Sequence, residues 1–206
     1  MIFYQNAIDT PHPDDLIPHA LPWILEASGP YYRALLGSAA CVTPILETWV
    51  YRASSEISIR RVKFLLSDSE FAGGFIALNG LDLRKARKAD TVALLTSIPV
   101  SERHAMMNRM EDLSSLFSPV ADDEYYLSKV GLNLHFRGKK LGRLLIDSYL
   151  MDGLRQGHTR YCLDVEIHNE PAIRCYRSAG FEVSHRTQSK TGTLGYYSMR
   201  YERVRA

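Results

Sequence analysis

The chain has 206 residues, enough for one domain or at most two small ones. Apolar residues make up 46% and charged residues 23%, near the globular average, which excludes disorder as the default reading. A formal net charge of only +2 argues against nucleic acid as a partner, since duplex-binding domains carry a strongly basic face.

Asp14 and Asp15 precede the apolar-periodic stretch Leu16 to Leu25 and predict a capped first helix; Pro18 and Pro22 weigh against it, Pro22 as a point where a new helix would start or this one kink. A second helix is expected from Tyr31 to Leu36, closing at Gly37, and a third after Thr43-Pro44, with Ile45, Leu46, Trp49 and Val50 on one face. The period then changes. Ile57, Ile59 and Val62 to Leu66 read as strand, as does Phe71 to Leu78, and Ser67 to Glu70 has turn composition, so a hairpin is expected. Residues 81–122 hold the basic cluster Arg84 to Lys88 and a helical stretch from Glu102 to Phe117. They read as an insertion packed on the sheet or arching over a site. Thereafter the expected order is strand (Tyr125–Leu134), helix (Gly142–Arg155), strand (Tyr161–Ile167), helix (Pro171–Ala179) and two strands (Phe181–Arg186, Gly195–Val204). Such an order makes an α/β layered domain with a mixed sheet.

Two segments carry chemistry. The first is the strand-to-helix loop Arg137-Gly138-Lys139-Lys140-Leu141-Gly142, followed by Arg143. The first-turn N–H groups of a helix lack partners and, with the helix dipole, form an anion site. Gly138 and Gly142 permit close backbone approach, and Arg137, Lys139, Lys140 and Arg143 add positive charge, so a diphosphate suits the loop. The loop lacks the Lys-Ser/Thr of a phosphate-binding Walker loop and does not match GxGxxG, which disfavours ATP and dinucleotides. The second segment is Asn169-Glu170-Pro171-Ala172-Ile173-Arg174-Cys175-Tyr176-Arg177-Ser178-Ala179-Gly180-Phe181.

Read as NxxAxxxYxxxGF, that segment resembles the second signature of the GNAT superfamily of acyl-CoA-dependent N-acetyltransferases, and the loop resembles the family's [Gln/Arg]-x-x-Gly-x-[Gly/Ala] signature. The resemblance covers Tyr125 to Phe181. It implies one GNAT-like α/β domain over residues 1–206, with a mixed central sheet, helices on both faces and splayed central strands; residues 81–122 would be a variable, partly helical insertion. Acetyl-CoA would be the co-substrate, with no metal. The open edge at Val130 and Leu132 would hold the pantetheine arm, an N–H near Leu132 would polarise the thioester carbonyl, and Gly138 to Arg143 would hold the diphosphate. Asn169 would bond the pantetheine amides, and Tyr176 would protonate the leaving thiolate. Glu124 stands where some family members carry a general base. The implied reaction is direct transfer of an acetyl or short acyl group to a primary amine, on a small molecule or a peptide. The alternative is a non-catalytic acyl-CoA sensor on the same fold. A monomer or homodimer is expected.

Two positions depart from the family pattern: Lys140 replaces a usual Gly, and Leu134 a frequent Pro. The expectation for Lys140 is a negative φ, at which a side chain costs little. Plainer roles stand beside the implied ones. Tyr176 has a packing role open to it, and Asn169 reads equally as an N-cap. Asp164 and Glu166 are structural or acceptor-binding, and Arg84 to Lys88 reads as a solvated face. Trp23, Tyr31, Tyr32 and Trp49 read as core rather than acceptor pocket. His135 and His168 lack a third ligand at metal spacing. Cys41, Cys162 and Cys175 show neither CxxC nor regular spacing, and read as reduced packing residues rather than disulfide or zinc ligands. The N-terminal MIFYQNAIDTPHPDD has no basic start and apolar h-region, and no run of about 18 apolar residues occurs. A cytoplasmic location without nucleic-acid or membrane partners is therefore expected.

Overall fold

The computed structural model describes residues 2–37 and 39–203; Val204 and the side chain of Cys41 lie outside the described residues. In chain order come β1 (Ile2–Asn6), α1 (Ile17–Leu36), α2 (Ala39–Tyr51), β2 (Val62–Ser67), β3 (Glu70–Asn79), α3 (Gly80–Ser97) and α4 (Val100–Leu113). The second half holds β4 (Glu124–Leu132), α5 (Leu141–Arg155), β5 (Arg160–Glu166), α6 (Glu170–Ser178), β6 (Glu182–Gln188) and β7 (Gly195–Glu202). The strands form one sheet in the order β1-β2-β3-β4-β5-β7-β6, antiparallel throughout except for the parallel pair β4–β5.

Period-2 patterning explains how both faces are covered. Tyr126 and Phe64 bury against α1 to α4, while their neighbours Tyr125 and Leu65 bury against α5 and α6. The β2–β3 hairpin closes through Asp68 (φ 51) and Ser69 (φ 69), the paired positive φ of a two-residue turn matched to strand twist. The α/β architecture, mixed sheet and helices on both faces are those expected from the sequence.

Several boundaries differ, each for a local reason. β1 was not expected: Ile2, Phe3 and Tyr4 are all substantially exposed, so this edge strand has no buried face to produce alternation. Asp14 and Asp15 lie in a 3₁₀ turn (Pro13–Leu16), and no side chain caps α1. Pro22 does not interrupt α1; the break between its two halves falls at Gly29 (φ 38, ψ −135), directly before Pro30. α2 begins at Ala39, ahead of Pro44. Ile57 and Ile59 precede β2 rather than joining it, Ile59 opening a 3₁₀ turn. β4 stops at Leu132, and Leu134 starts another 3₁₀ turn. In the 81–122 stretch, the Asn79 side chain accepts from Asp82 N at 2.9 Å and caps α3 at the end of β3. α3 packs on the sheet beside β3 and β4.

The decisive feature is a wedge. β4 and β5 pair only from Glu124–Arg160 to Leu127–Leu163, after which β4 stays with β3 and β5 with β7. At the start of the wedge Ile76 faces Lys129 and Ala77 faces Leu127, so Ser128 is an extra residue in β4, a β-bulge. Alternation is broken there, and Ser128 and Lys129 both line one cavity on the α1–α4 side.

Candidate active site

On one side of the wedge lies a cleft of about 480 Å³, walled by Trp23, the β4 edge Val130–Leu132, Gly142 and Ile146 of α5, and Asn169 and Tyr176. Gly74 and Gly131 face each other across β3–β4 and form a slot for Trp23: a Cβ on Gly131 would meet Trp23 Cβ at 2.9 Å. The strand end is thereby clamped to α1. The Trp23 indole N–H is buried with no acceptor among the described residues.

The loop before α5 supplies a second set of unused donors. No turn or cap hydrogen bond among the described residues consumes the N–H groups of Gly138, Lys139, Lys140, Leu141 and Gly142. Gly138 has φ +75, and a Cβ on Gly142 would contact only Cys175 Sγ, at 3.8 Å. The Leu141 side chain anchors the loop in the core below α5. Lys140 has φ +62 and ψ 8, correcting the expectation of a negative φ: it is the left-handed N-cap of α5. A non-glycine residue there costs about 1 kcal/mol.

The four cations are also not equivalent. Arg137 pairs with Glu26 and donates from Nε to Leu132 O at 3.1 Å, tying the loop to α1 and the end of β4. Arg143 pairs with Asp147 at 2.8 Å and donates to Ser178 O, bracing α5 on α6. Lys139 Nζ lies 5.2 Å from the Phe136 ring centre.

Asn169 caps α6 by accepting from Ala172 N at 3.3 Å and also lines the cleft, so its two expected placements coexist. Tyr176 is 7% exposed, and burial, with a smaller push from Cys175, raises its phenol above the ordinary range. Its hydroxyl has no hydrogen-bond partner among the described residues. Val130, Leu132, Arg137, Gly142, Asn169 and Tyr176 thus meet around one cleft.

Glu124 does not join them. It sits at the opposite end of β4, about 20 Å from Val130 at the rise of an extended strand. Its Oε1 accepts from Arg200 Nε at 2.9 Å and its Oε2 from Ala121 N at 2.8 Å. The carboxylate is 2% exposed and closes an ion cluster instead of facing a cavity.

Behind the wedge, on the α1–α4 side, a second cavity of about 210 Å³ is enclosed by aromatic and charged side chains. Glu56 lies in its wall, bonded by Arg87 Nε at 3.0 Å and by Ser128 Oγ, with Lys129 Nζ at 3.7 Å. Burial alone would raise the Glu56 carboxyl, but Arg87, Lys129 and Ser128 hold it at about 2. Asp164, on the first β5 residue past the wedge, accepts from Tyr126 Oη at 3.1 Å and from Ser198 Oγ, and burial raises its carboxyl. Asp90 is pushed up to about 6 by burial. A corridor lined by Gly29, Pro30, Ser128, Asp164, Asn169 and Tyr176 joins this cavity to the cleft. Glu56, Arg87 and Asp90 were not singled out from the sequence. The signal lies on α3, where Leu83, Ala86, Asp90 and Leu94 form the buried stripe: an acid there marks a polar interior. The reading of Arg84 to Lys88 as a solvated face fails at Arg87, which lines the cavity.

Residues 104–181, from α4 to the start of β6, match the acetyltransferase (GNAT) family model. Over that segment the chain is similar to GNAT acetyltransferases. Solved GNAT structures share the layout. An N-acetyltransferase from Staphylococcus aureus Mu50 superposes with a TM-score of 0.68 at 18% identity, over 97% of this chain and 100% of that one. The ribosomal-protein-S18-alanine N-acetyltransferase from Escherichia coli gives 0.56 at 14% identity, over 100% and 96%. The PaiA N-acetyltransferase from Thermoplasma acidophilum, solved with coenzyme A, gives 0.53 at 12%, over 98% and 99%. At these identities the likeness is one of fold. No curated protein matches the chain. Among the described residues, no helix is long and apolar enough to cross a membrane.

Proposed function

We propose that the protein transfers an acetyl or other short acyl group directly from acyl-CoA to a primary amine. The observation that carries this reading is the meeting of two cavities across the wedge: a donor-rich cleft on one side and an acid-lined cavity on the other, joined at Tyr176 and Asn169.

The cleft's chemistry fits acyl-CoA. The free N–H groups from Gly138 to Gly142 suit a diphosphate, and Lys139 and Lys140 add attraction. The open edge at Val130 and Leu132 suits an amide-bearing arm. Bound there, the thioester supplies the activated acyl carbon. The chain's residues then position and move protons. A β4 N–H near Leu132 polarises the carbonyl, Asp164 takes a proton from the acceptor ammonium, and Tyr176 delivers one to the departing sulfur as the C–N bond forms and the C–S bond breaks. The second proton shed by the new amide nitrogen restores the phenol. Asp164 replaces Glu124 as the proposed base, because it lines the corridor while Glu124 does not. Most of the rate comes from holding both reactants together, with no covalent enzyme intermediate.

The test is thiol release from acetyl-CoA across a panel of amines, amino acids and peptides, beside calorimetric binding of acetyl-CoA. Binding with amine-dependent thiol release is expected. Tight binding with no release from any amine would favour the sensor reading.

A further inference from the structure

The second cavity presents two unused groups of opposite sign, one helical turn apart. Arg87 and Asp90 stand three residues apart on α3 and so share a face. Arg87 spends only Nε on Glu56; its guanidinium lies 5.4 Å from the Phe117 ring centre and 5.1 Å from that of Tyr126. Its two terminal nitrogens have no acceptor among the described residues. Flanked by two rings, this fork matches a carboxylate bidentately.

Asp90 is the complementary vacancy. Its Oδ2 accepts from Glu56 N at 2.9 Å and Ser55 Oγ at 3.1 Å, while Oδ1 is buried with no partner. The residue is 5% exposed. A buried carboxylate oxygen without a donor is costly, and a ligand ammonium would remove that cost. One carbon bearing both an ammonium and a carboxylate satisfies both vacancies.

That head group leaves the reactive end unassigned. Asp164 stands where the cavity opens into the corridor to Tyr176. The charges agree. Glu56, Asp90 and Asp164 oppose only Arg87 and Lys129 in the wall, leaving one negative charge for a ligand of net charge +1.

We infer that the acceptor is an α,ω-diamino acid, seated by its α-ammonium on Asp90 and its α-carboxylate on Arg87, and acylated on its side-chain amine. This rests on the acyl-transfer reading above and adds the acceptor's class. Simple diamines lack the carboxylate, and monoamino acids lack the reacting amine.

Matched pairs test it: L-ornithine against putrescine, L-lysine against cadaverine, and L-norleucine as the control without a side-chain amine. The diamino acid of at least one pair should exceed its diamine in kcat/KM by roughly ten- to a hundredfold, the scale of a charge-assisted pair. Arg87→Gln should erase that preference, leaving the diamines within about threefold. Because Arg87→Gln also strips a partner from buried Glu56, Arg87→Lys provides a second variant. It keeps the charge but loses the fork, and should cost the diamino acid alone roughly tenfold. Calorimetric titration of the same ligands into the acetyl-CoA complex reads the pocket without turnover. Diamines that match or beat the diamino acids, equal losses for both in Arg87→Lys, norleucine turned over as well, or no diamino-acid binding would each overturn the inference. Diamino-acid binding with no thiol release would uphold the pocket's ligand and overturn acyl transfer instead.

Discussion

The two cavities that meet at the β4–β5 wedge are made of different material. The cleft includes two stretches of backbone, the strand edge at Val130–Leu132 and, at Gly142, the end of a loop whose N–H groups are unpaired. The cavity behind it is made of side chains from separate elements, Glu56 before β2, Arg87 and Asp90 on α3, and Asp164 on β5. Backbone donors bind whatever carries phosphates and amides, and they tolerate side-chain drift so long as glycine remains where the chain must pass close. Side-chain pockets are tuned by single substitutions. On the proposed reading, the difference separates a general co-substrate site from a selective acceptor site, and it can be tested from either side.

The largest effect is expected at Gly142. Its missing side chain leaves room in the cleft, and a Cβ there meets nothing closer than 3.8 Å, so the fold should accept a substitution that the ligand cannot. Gly142→Glu should abolish detectable CoA binding by calorimetry while circular dichroism stays native. Wild-type affinity would remove the loop from the site. Next comes Tyr176→Phe, which should lower kcat by roughly ten- to a thousandfold and leave acetyl-CoA affinity nearly unchanged. An unaltered chemical step would return Tyr176 to packing.

Asp90 separates the two sites by stability. Its folded pKa of about 6 lies above the ordinary carboxylate value, so the fold favours the protonated form. That contribution is present in full below about pH 4 and is lost as pH rises through 6. Asp90→Asn should therefore raise the Tm of the free protein by roughly 5 °C at pH 8 and far less at pH 4.5. Equal shifts at both pH values would mean that no buried charge is being relieved. The smallest effect belongs to Lys140→Gly. Relief of the left-handed backbone is offset by the greater freedom of glycine in the unfolded chain, so stability should change by less than about 1 kcal/mol. CoA binding should weaken modestly and depend less steeply on salt. A markedly tighter complex would mean that strain at Lys140 limits binding.

Legibility from sequence follows the same division. The loop and α6 could be read because their spacing along the chain is itself the geometry: Gly138, Gly142, Asn169 and Tyr176 fall within two short local runs. The acceptor side could not, because Glu56, Arg87, Asp90 and Asp164 come together only through the sheet. Arg87 was hidden inside a run of charges that looks solvated. Lys129 was hidden by the Ser128 bulge, which turns two consecutive residues into the same cavity against strand alternation. Glu124 failed for a related reason: position on the right strand says nothing about which end of it faces the wedge. Lys140 shows the limit at the backbone level, since the loop keeps its left-handed turn where the glycine that usually eases it is gone.

The break in α1 bears on how an acceptor sheds its water. Pro30 carries no N–H, so the carbonyl of Glu26 has no donor four residues on, and Glu26, Gly29 and Pro30 all line the corridor. On the proposed reading, an ammonium moving toward Tyr176 must lose its hydration shell within a few ångströms, and a protein carbonyl without its usual helical donor is a ready replacement for one of those waters. Dehydration then proceeds by exchange rather than by stripping, which lowers the barrier to entry for amines and does nothing for anions.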